Sequence, residues 1–450
     1  MHRRATAAIP QAALDGSLRD FRAPTGIDFI ARTEPFFAWQ DLRRTHGLWP
    51  YSRSTASAPG ARCVAADDDG RSFSGVNFGS QDYLSLSSHP RIKAAAIAMT
   101  ERYGVHSAGS AALIGNTAAS VALESRLSDV LQGRHVVLYP TGWAAGYGAV
   151  QGLVRPDDHV VIDILAHSCL QSGTRAATQN IHPHAHLDLE SIDRKLRQIR
   201  STDARNGIMV VTESLFSMHS DRPDLLALRA MCDEYGASLL VDCAHDFGSM
   251  GEGGLGLVGD LGMLDGVDVL IGSFSKTFAS NGGFVAVATR AAAEYLKFYS
   301  ATQTFSNAMS PVQAAIVHQA LDIVTSAEGD LLRKDLATNV SLLRAQMKAA
   351  GFDVFGEASP IVPVGVGDEG LGRLVARAFG QQGGIANLVE YPAVPMGHSR
   401  FRFQVMAGHT GEDIEQVVAV LASAMAIGRK ELSSERLAPP TGPSRLAGAA

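Results

Sequence analysis

From about Val136 onward, short runs dense in Val, Ile and Leu alternate with stretches of helical periodicity, and few folds accommodate that pattern. The runs are HVVLYP, HVVIDIL, IMVVTES, ASLLVDCAH, VDVLIGSF and GGFVAVAT. Strands whose apolar residues do not alternate with polar ones are buried on both faces, as in a parallel sheet with helices above and below. The spacing therefore predicts an α/β fold with a mostly parallel central sheet, in a large domain over residues 76–330. In such sheets functional groups gather at the carboxyl ends of the strands, where loops lead into the next helix. Past about Leu331 the texture changes to a helical stretch, LLRKDLATNVSLLRAQMKAAG, then short strands in FDVF, PIVPVGVG and FRFQVMA, and a last helix from near Gly411. That predicts a smaller C-terminal α+β domain over 331–430. Residues 1–75 read as an N-terminal arm and extension, loose over about the first 20 residues and without chemistry. Residues 431–450, rich in Pro, Ser, Gly and Ala, read as a disordered tail.

Composition narrows the function classes. A chain of 450 residues, 46% hydrophobic and 19% charged, can close a large core and a smaller domain around a deep cleft. A net charge of -6 and the lack of a basic run argue against nucleic acid or an anionic membrane surface as partner. Cys63, Cys169, Cys232 and Cys243 form no CxxC pair and no zinc-like spacing with histidine, which argues against a disulfide framework or metal and fits a reducing cytoplasm. No window approaches the roughly 18 apolar residues of a transmembrane segment, and the start, MHRRATAAIPQAAL, lacks a sustained apolar core.

The densest signal is GSFSKTFASNGG, residues 272–283, where a lysine follows an apolar strand among small hydroxyl residues and glycines. A lysine in an isolated turn is ordinarily solvated; a strand end inside the protein reverses that reading. Desolvation and nearby positive charge let the amine lose its proton at neutral pH, and an aldehyde cofactor then captures it as an imine. The cofactor indicated is pyridoxal 5'-phosphate (PLP), with Lys276 as its Schiff-base lysine. Ser273 and Ser275 offer hydroxyls to a phosphate, and Gly282 and Gly283 let the backbone pass close by. In LLVDCAHDFG, 239–248, an apolar strand ends in Asp242, a carboxylate that is costly to bury without a cation. A protonated pyridine nitrogen is such a cation, and keeping it charged makes the ring an electron sink. Ala244 would pack on one ring face and His245 would reach the phenolic oxygen. In YPTGWAAGYGAV, 139–150, a helix starts on free amides, which makes Gly142 and Trp143 candidates for the phosphate. In DILAHSCL, 163–170, His167 follows a strand and is positioned to stack on the ring, although alone such a histidine is more often structural. Gly251–Gly256 spells GxGxxG but does not bridge a strand directly into a helix, so it is no dinucleotide site.

In this order the segments resemble the α-oxoamine synthase family of fold-type I, aspartate aminotransferase-like PLP transferases. The resemblance extends from about Asn77 to about Val420, through NFGSQDYLSLSSHP (77–90), GSAALIGNTAASVALE (109–124) and VVTESLFSMHSD (210–221). It implies that His167 stacks on PLP, Ser217 and His245 contact its phenolic oxygen, Asp242 meets the ring nitrogen and Lys276 forms the imine. It also implies a homodimer with shared active sites, in which Ser306 and Asn307 of FSNAMSP reach the phosphate of the neighbouring subunit. SRFRFQVMAGHT (399–410) matches the strand whose second arginine, here Arg402, grips the substrate carboxylate, with Arg400 the competing choice. Gln81 stands on the substrate side where some members have asparagine. Ser110-Ala111-Ala112, Ser120 and Glu390 also depart from the family near its acyl side, which leaves the acyl donor open. YPAVP and the long region before Asn77 resemble the serine palmitoyltransferase and natural-product branches.

The implied activity is decarboxylative condensation of serine, glycine or alanine with an acyl thioester on CoA or an acyl carrier protein. The alternatives are another reaction on this fold, transamination or side-chain cleavage, and a non-catalytic partner subunit, against which Lys276 argues.

Overall fold

A computed structural model describes residues 9–435, and its strands fall into three sheets. The N-terminal strands are β1 (Ser54–Thr55), β2 (Arg62–Ala66) and β3 (Ser72–Asn77). The central strands are β4 (His135–Tyr139), β5 (His159–Asp163), β6 (Ile181–His184), β7 (Ile208–Glu213), β8 (Ser238–Asp242), β9 (Val269–Ser273) and β10 (Gly283–Val287). The C-terminal strands are β11 (Ile361–Gly367), β12 (Gly384–Ile385), β13 (Asn387–Val389) and β14 (Ser399–Gln404).

The central sheet runs β4-β10-β9-β8-β7-β5-β6. Its strands from β9 to β6 are parallel, and β10 runs antiparallel to both β4 and β9. The six apolar runs are therefore strands of one mostly parallel sheet. Every residue of β7, β9 and β10 is buried, because helices cover both faces. Met209, Val211, Val269 and Ile271 pack on one side of the sheet, and Ile208, Val210 and Leu270 on the other. The seventh strand, β6, reads IHPH and escaped the sequence pattern. It pairs only with β5, at the sheet edge, where burial is incomplete and a proline is tolerated.

From Ala327 onward the chain forms the antiparallel sheet β11-β14-β13 and the helices Ala327–Ala349, Glu369–Gln381 and Gly411–Glu435. FDVF yields only an isolated bridge, Val354 to Val364. The N-terminal extension departs further from expectation. β3 pairs in parallel with β12, so the extension joins the small domain's chain in one sheet, and the boundary drawn at residue 75 cuts through β3. A Cβ on Gly75 would stand 1.8 Å from the Gly383 carbonyl oxygen, so only glycine permits this approach.

Nor is the start loose over its described part. Gln11–Leu14 is helical, Ala13 and Leu14 are buried, and the Arg373 guanidinium donates to the carbonyls of Leu14, Asp15 and Gly16. Residues 1–8 lie outside the described residues. At the other end, the last helix continues through Glu435 into the segment expected to be a tail, whose remainder, 436–450, lies outside the described residues. Among the described residues no helix is long and apolar enough to cross a membrane.

Candidate active site

The parallel strands β7, β8 and β9 end side by side, and their carboxyl ends open into a cavity of about 240 Å³. Ladder register sets Glu213 next to Asp242, and Asp242 next to Ile271. The last residues of three buried strands thus bring two carboxylates to one wall. Both are buried, and Asp242 is steadied by the Ala244 amide, which donates to Oδ1 at 3.0 Å. Lys276 lies three residues past the end of β9 in the same lining. Burial lowers the pKa of its amine, while the negative charges of Asp242 and Glu213 pull the other way. The Glu213 carboxyl is pushed well above the usual range by burial and then by its like-charged neighbour Asp242.

The same cavity also carries a group of anion-binding donors. Thr141 caps the helix Gly142–Leu153 through the Ala144 amide, while the first amides, of Gly142 and Trp143, have no intrahelical acceptor. A Cβ on Gly142 would stand 2.4 Å from Ser273 Oγ, so only a glycine lets the helix end approach this hydroxyl. Ser273 and Ser275 hydroxyls are 2.8 Å apart beside it. An amine, a buried carboxylate and a helix end flanked by hydroxyls around one cavity fit PLP: Lys276 for its aldehyde, Asp242 for its ring nitrogen, and Gly142, Trp143, Ser273 and Ser275 for its phosphate.

His167, Ala244 and His245 complete the lining among the residues expected from sequence. His167 precedes the helix Ser168–Ala177 and keeps much of its surface open. His245 is buried, and its pKa is held well below the ordinary value by burial and by the charges of Lys276 and Arg402. The Tyr83 hydroxyl lies 3.0 Å from His245 Nδ1 and donates to Gln404 Oε1 at 3.1 Å. The Tyr83 amide donates to the Lys276 carbonyl at 3.1 Å, which ties the lysine loop to the segment after β3.

Gln81, Ser217, Ser306, Asn307 and Arg402 are not in this lining. Ser217 is buried past the end of β7. Ser306 and Asn307 lie beside the glycine-rich segment, where Asn307 bridges to Ser110 and its Nδ2 is 3.1 Å from His106 Nε2. The two arginines of β14 differ in their partners. Arg400 donates to the carbonyls of Met218 and His398 and lies 4.5 Å over the Phe355 ring. Among the described residues Arg402 has only the Met218 sulfur, 3.8 Å from Nη1, and its buried Nε has no acceptor. Its charge is nonetheless felt at His167, His245 and Lys276.

Sequence reasoning missed Thr141, Cys169, Glu213 and Asn281 in the lining, and Tyr83 behind it. Glu213 carries the same signal that singled out Asp242, a carboxylate closing a mostly apolar strand. Glu390, expected near the acyl side, is instead buried against Arg373, Tyr51 and Arg43. Cavities of about 290 and 380 Å³ lie where the N-terminal extension meets the small domain, but no lysine, histidine or cysteine lines them.

A family model for aminotransferase class I and II matches residues 74–421. A serine palmitoyltransferase of Sphingobacterium spiritivorum is 32% identical over 375 residues, 83% of this chain and 91% of that protein. An 8-amino-7-oxononanoate synthase of Geobacter sulfurreducens is 33% identical over 379 residues, 84% of this chain and 95% of that one. The fold matches that of a solved SPT with PLP internal aldimine, with a TM-score of 0.83 at 24% identity over 90% of this chain and 99% of the other. Fold, matched length and these relatives agree: the chain belongs to the aminotransferase class I and II family, among its PLP-dependent α-oxoamine synthases.

Proposed function

We propose that the protein joins an α-amino acid, namely serine, glycine or alanine, to the acyl group of a thioester on CoA or an acyl carrier protein. The amino acid loses its carboxylate as CO2, the thioester releases its thiol, and the product is an α-amino ketone. One observation carries this reading: Lys276, Asp242 and His167 share one cavity, while the nearby Arg402 is a cation without a carboxylate partner. PLP, when bound, supplies an electron sink for a carbanion at the amino acid's α-carbon.

The chain's own groups then have distinct tasks. Arg402 binds the carboxylate of the incoming amino acid, for which a guanidinium fork is better suited than an ammonium. Lys276 removes the α-proton; burial favours its neutral, basic form. Asp242 would supply negative charge for the ring nitrogen, and His245, with Ser217 buried past the end of β7, would serve the phenolic side. His167 lines the same cavity, where it would stack on the cofactor ring. The relatives named serine palmitoyltransferase support a serine palmitoyltransferase-like or natural-product variant of this reaction.

The reading extends to a cytoplasmic homodimer with shared sites. Ser306 and Asn307 lie outside their own cavity, and Leu113, Ile114 and Phe305 of the adjoining segments are 84%, 87% and 86% exposed, an apolar surface suited to a second copy. The cysteines are all free and buried, as a reducing compartment allows.

The test is thiol release from an acyl thioester, measured with and without each amino acid, together with CO2 capture. Amino-acid-dependent release of both in equal amounts is expected. Transfer of the amino group to a keto acid without thiol release would assign the protein to the aminotransferases instead.

A further inference from the structure

His167 is held on three sides by groups that the proposed reaction does not use. Its amide donates to Glu213 Oε1 at 2.6 Å. Its ring Nδ1 caps the helix Ser168–Ala177, facing the Cys169 amide at 3.4 Å and the Cys169 sulfur at 3.0 Å. An amide N–H can only donate, so Nδ1 must present its lone pair there. We propose that Cys169 and Glu213 are positioning residues that fix His167 as the tautomer protonated at Nε2 and aim that N–H into the cavity.

The thiol strengthens the argument. Burial first, and then the charges of Asp242 and Glu213, raise the Cys169 pKa far above that of a free thiol, so its sulfur keeps its proton and donates as well. Two donors facing Nδ1 exclude a proton there. The pKa of His167 is lowered as well, by burial first and then by Lys276 and Arg402, with Asp242 opposing them. Among the described residues Nε2 meets no acceptor, so its hydrogen is available to an anionic oxygen entering the cavity. The ring orientation is thus set from the strand end of β7 and the turn after β5, not by the bound molecules.

The proposal rests on the reading of this cavity as the reaction site, and the experiment separates the two. Holoenzyme labelled with 15N-histidine is examined by two-bond proton–nitrogen correlation, which distinguishes the tautomers whatever the enzyme's activity. The His167 signals should show Nε2–H across neutral pH, unchanged in Cys169→Ser, which keeps a donor. In Cys169→Val, which keeps the backbone amide but loses the thiol donor, a fraction of the Nδ1–H form should appear beside the Nε2–H form and kcat should fall by up to about fivefold, the worth of one hydrogen bond, with the cofactor's visible absorption retained. An Nδ1–H ring in the parent protein, or a Cys169→Val spectrum identical to it, overturns the proposal. If the Nε2–H tautomer is present while no thiol is ever released from thioesters, the cradle stands and the assigned reaction falls.

Discussion

Two regions of this molecule bury charge, and they treat it in opposite ways. Where the N-terminal extension meets the small domain, Arg43, Arg373 and Glu390 are 0%, 1% and 8% exposed. Glu390 receives Arg373 Nε at 2.7 Å, the Tyr51 hydroxyl at 2.6 Å and Arg43 Nη2 at 3.5 Å. The surplus cation is partly absorbed, since Arg373 donates to three carbonyls and Arg43 lies 4.5 Å over Trp39 and 5.1 Å over Trp49, although Arg43 Nε and Nη1 meet no acceptor among the described residues. At the strand ends, Glu213 and Asp242 are as deeply buried, but their remaining valences face a cavity. Burial alone therefore does not mark function; buried carboxylates that line a cavity together with an amine do.

That contrast can be broken by substitution, with the largest effect expected at Lys276. Lys276→Ala should lower kcat by about 10,000-fold, the upper range for loss of a general base, and abolish the visible absorption of the lysine-bound cofactor, with the thermal unfolding midpoint little changed. Glu390→Ala should do the reverse. Leaving two buried guanidinium groups without their carboxylate should destabilise the fold by about 3–5 kcal/mol in denaturant unfolding, while the rate per folded molecule stays near that of the parent. If Glu390→Ala instead abolished activity at full stability, the division between the two regions would fail.

Arg402→Lys should reduce kcat/KM for the amino acid by about 50-fold, within the worth of charge-assisted hydrogen bonds, and leave the KM for the thioester nearly unchanged. The corresponding change at Arg400, whose partners are carbonyls and an aromatic ring, should affect stability more than amino-acid use.

The smallest effect concerns a half-buried case between the two extremes. His186 lies between Asp163, at 3.0 Å from Nδ1, and Asp221, at 3.1 Å from Nε2. Burial disfavours its charge, yet the hydrogen bonds to Asp163 and Asp221 outweigh it and raise the pKa from 6.5 to about 9. The folded state therefore binds this proton more tightly than the unfolded chain. The resulting stability is fully present below pH 6.5 and is lost as pH rises through 9. With solvent screening it amounts to about 1–2 kcal/mol, and the pH dependence of unfolding should flatten by that amount in His186→Asn.

The alternation of apolar runs determined the central sheet, because a strand buried on both faces has to be apolar along its own length, and that is a local property. Lys276 and Asp242 were legible for the same reason: a charged residue that closes an apolar run has no local explanation. The edge strand β6 and the anchored start at Gln11–Leu14 were not legible, since one is polar on its exposed side and the other is ordered only by Arg373. Tertiary structure alone decided which charges are satisfied. Tyr83 meets His245 and Gln404 across 162 and 321 residues, and Glu390 meets Tyr51 and Arg43 across 339 and 347. A hydrogen bond needs atoms within about 3 Å, and no local pattern of residue types records which distant segment the fold brings that close.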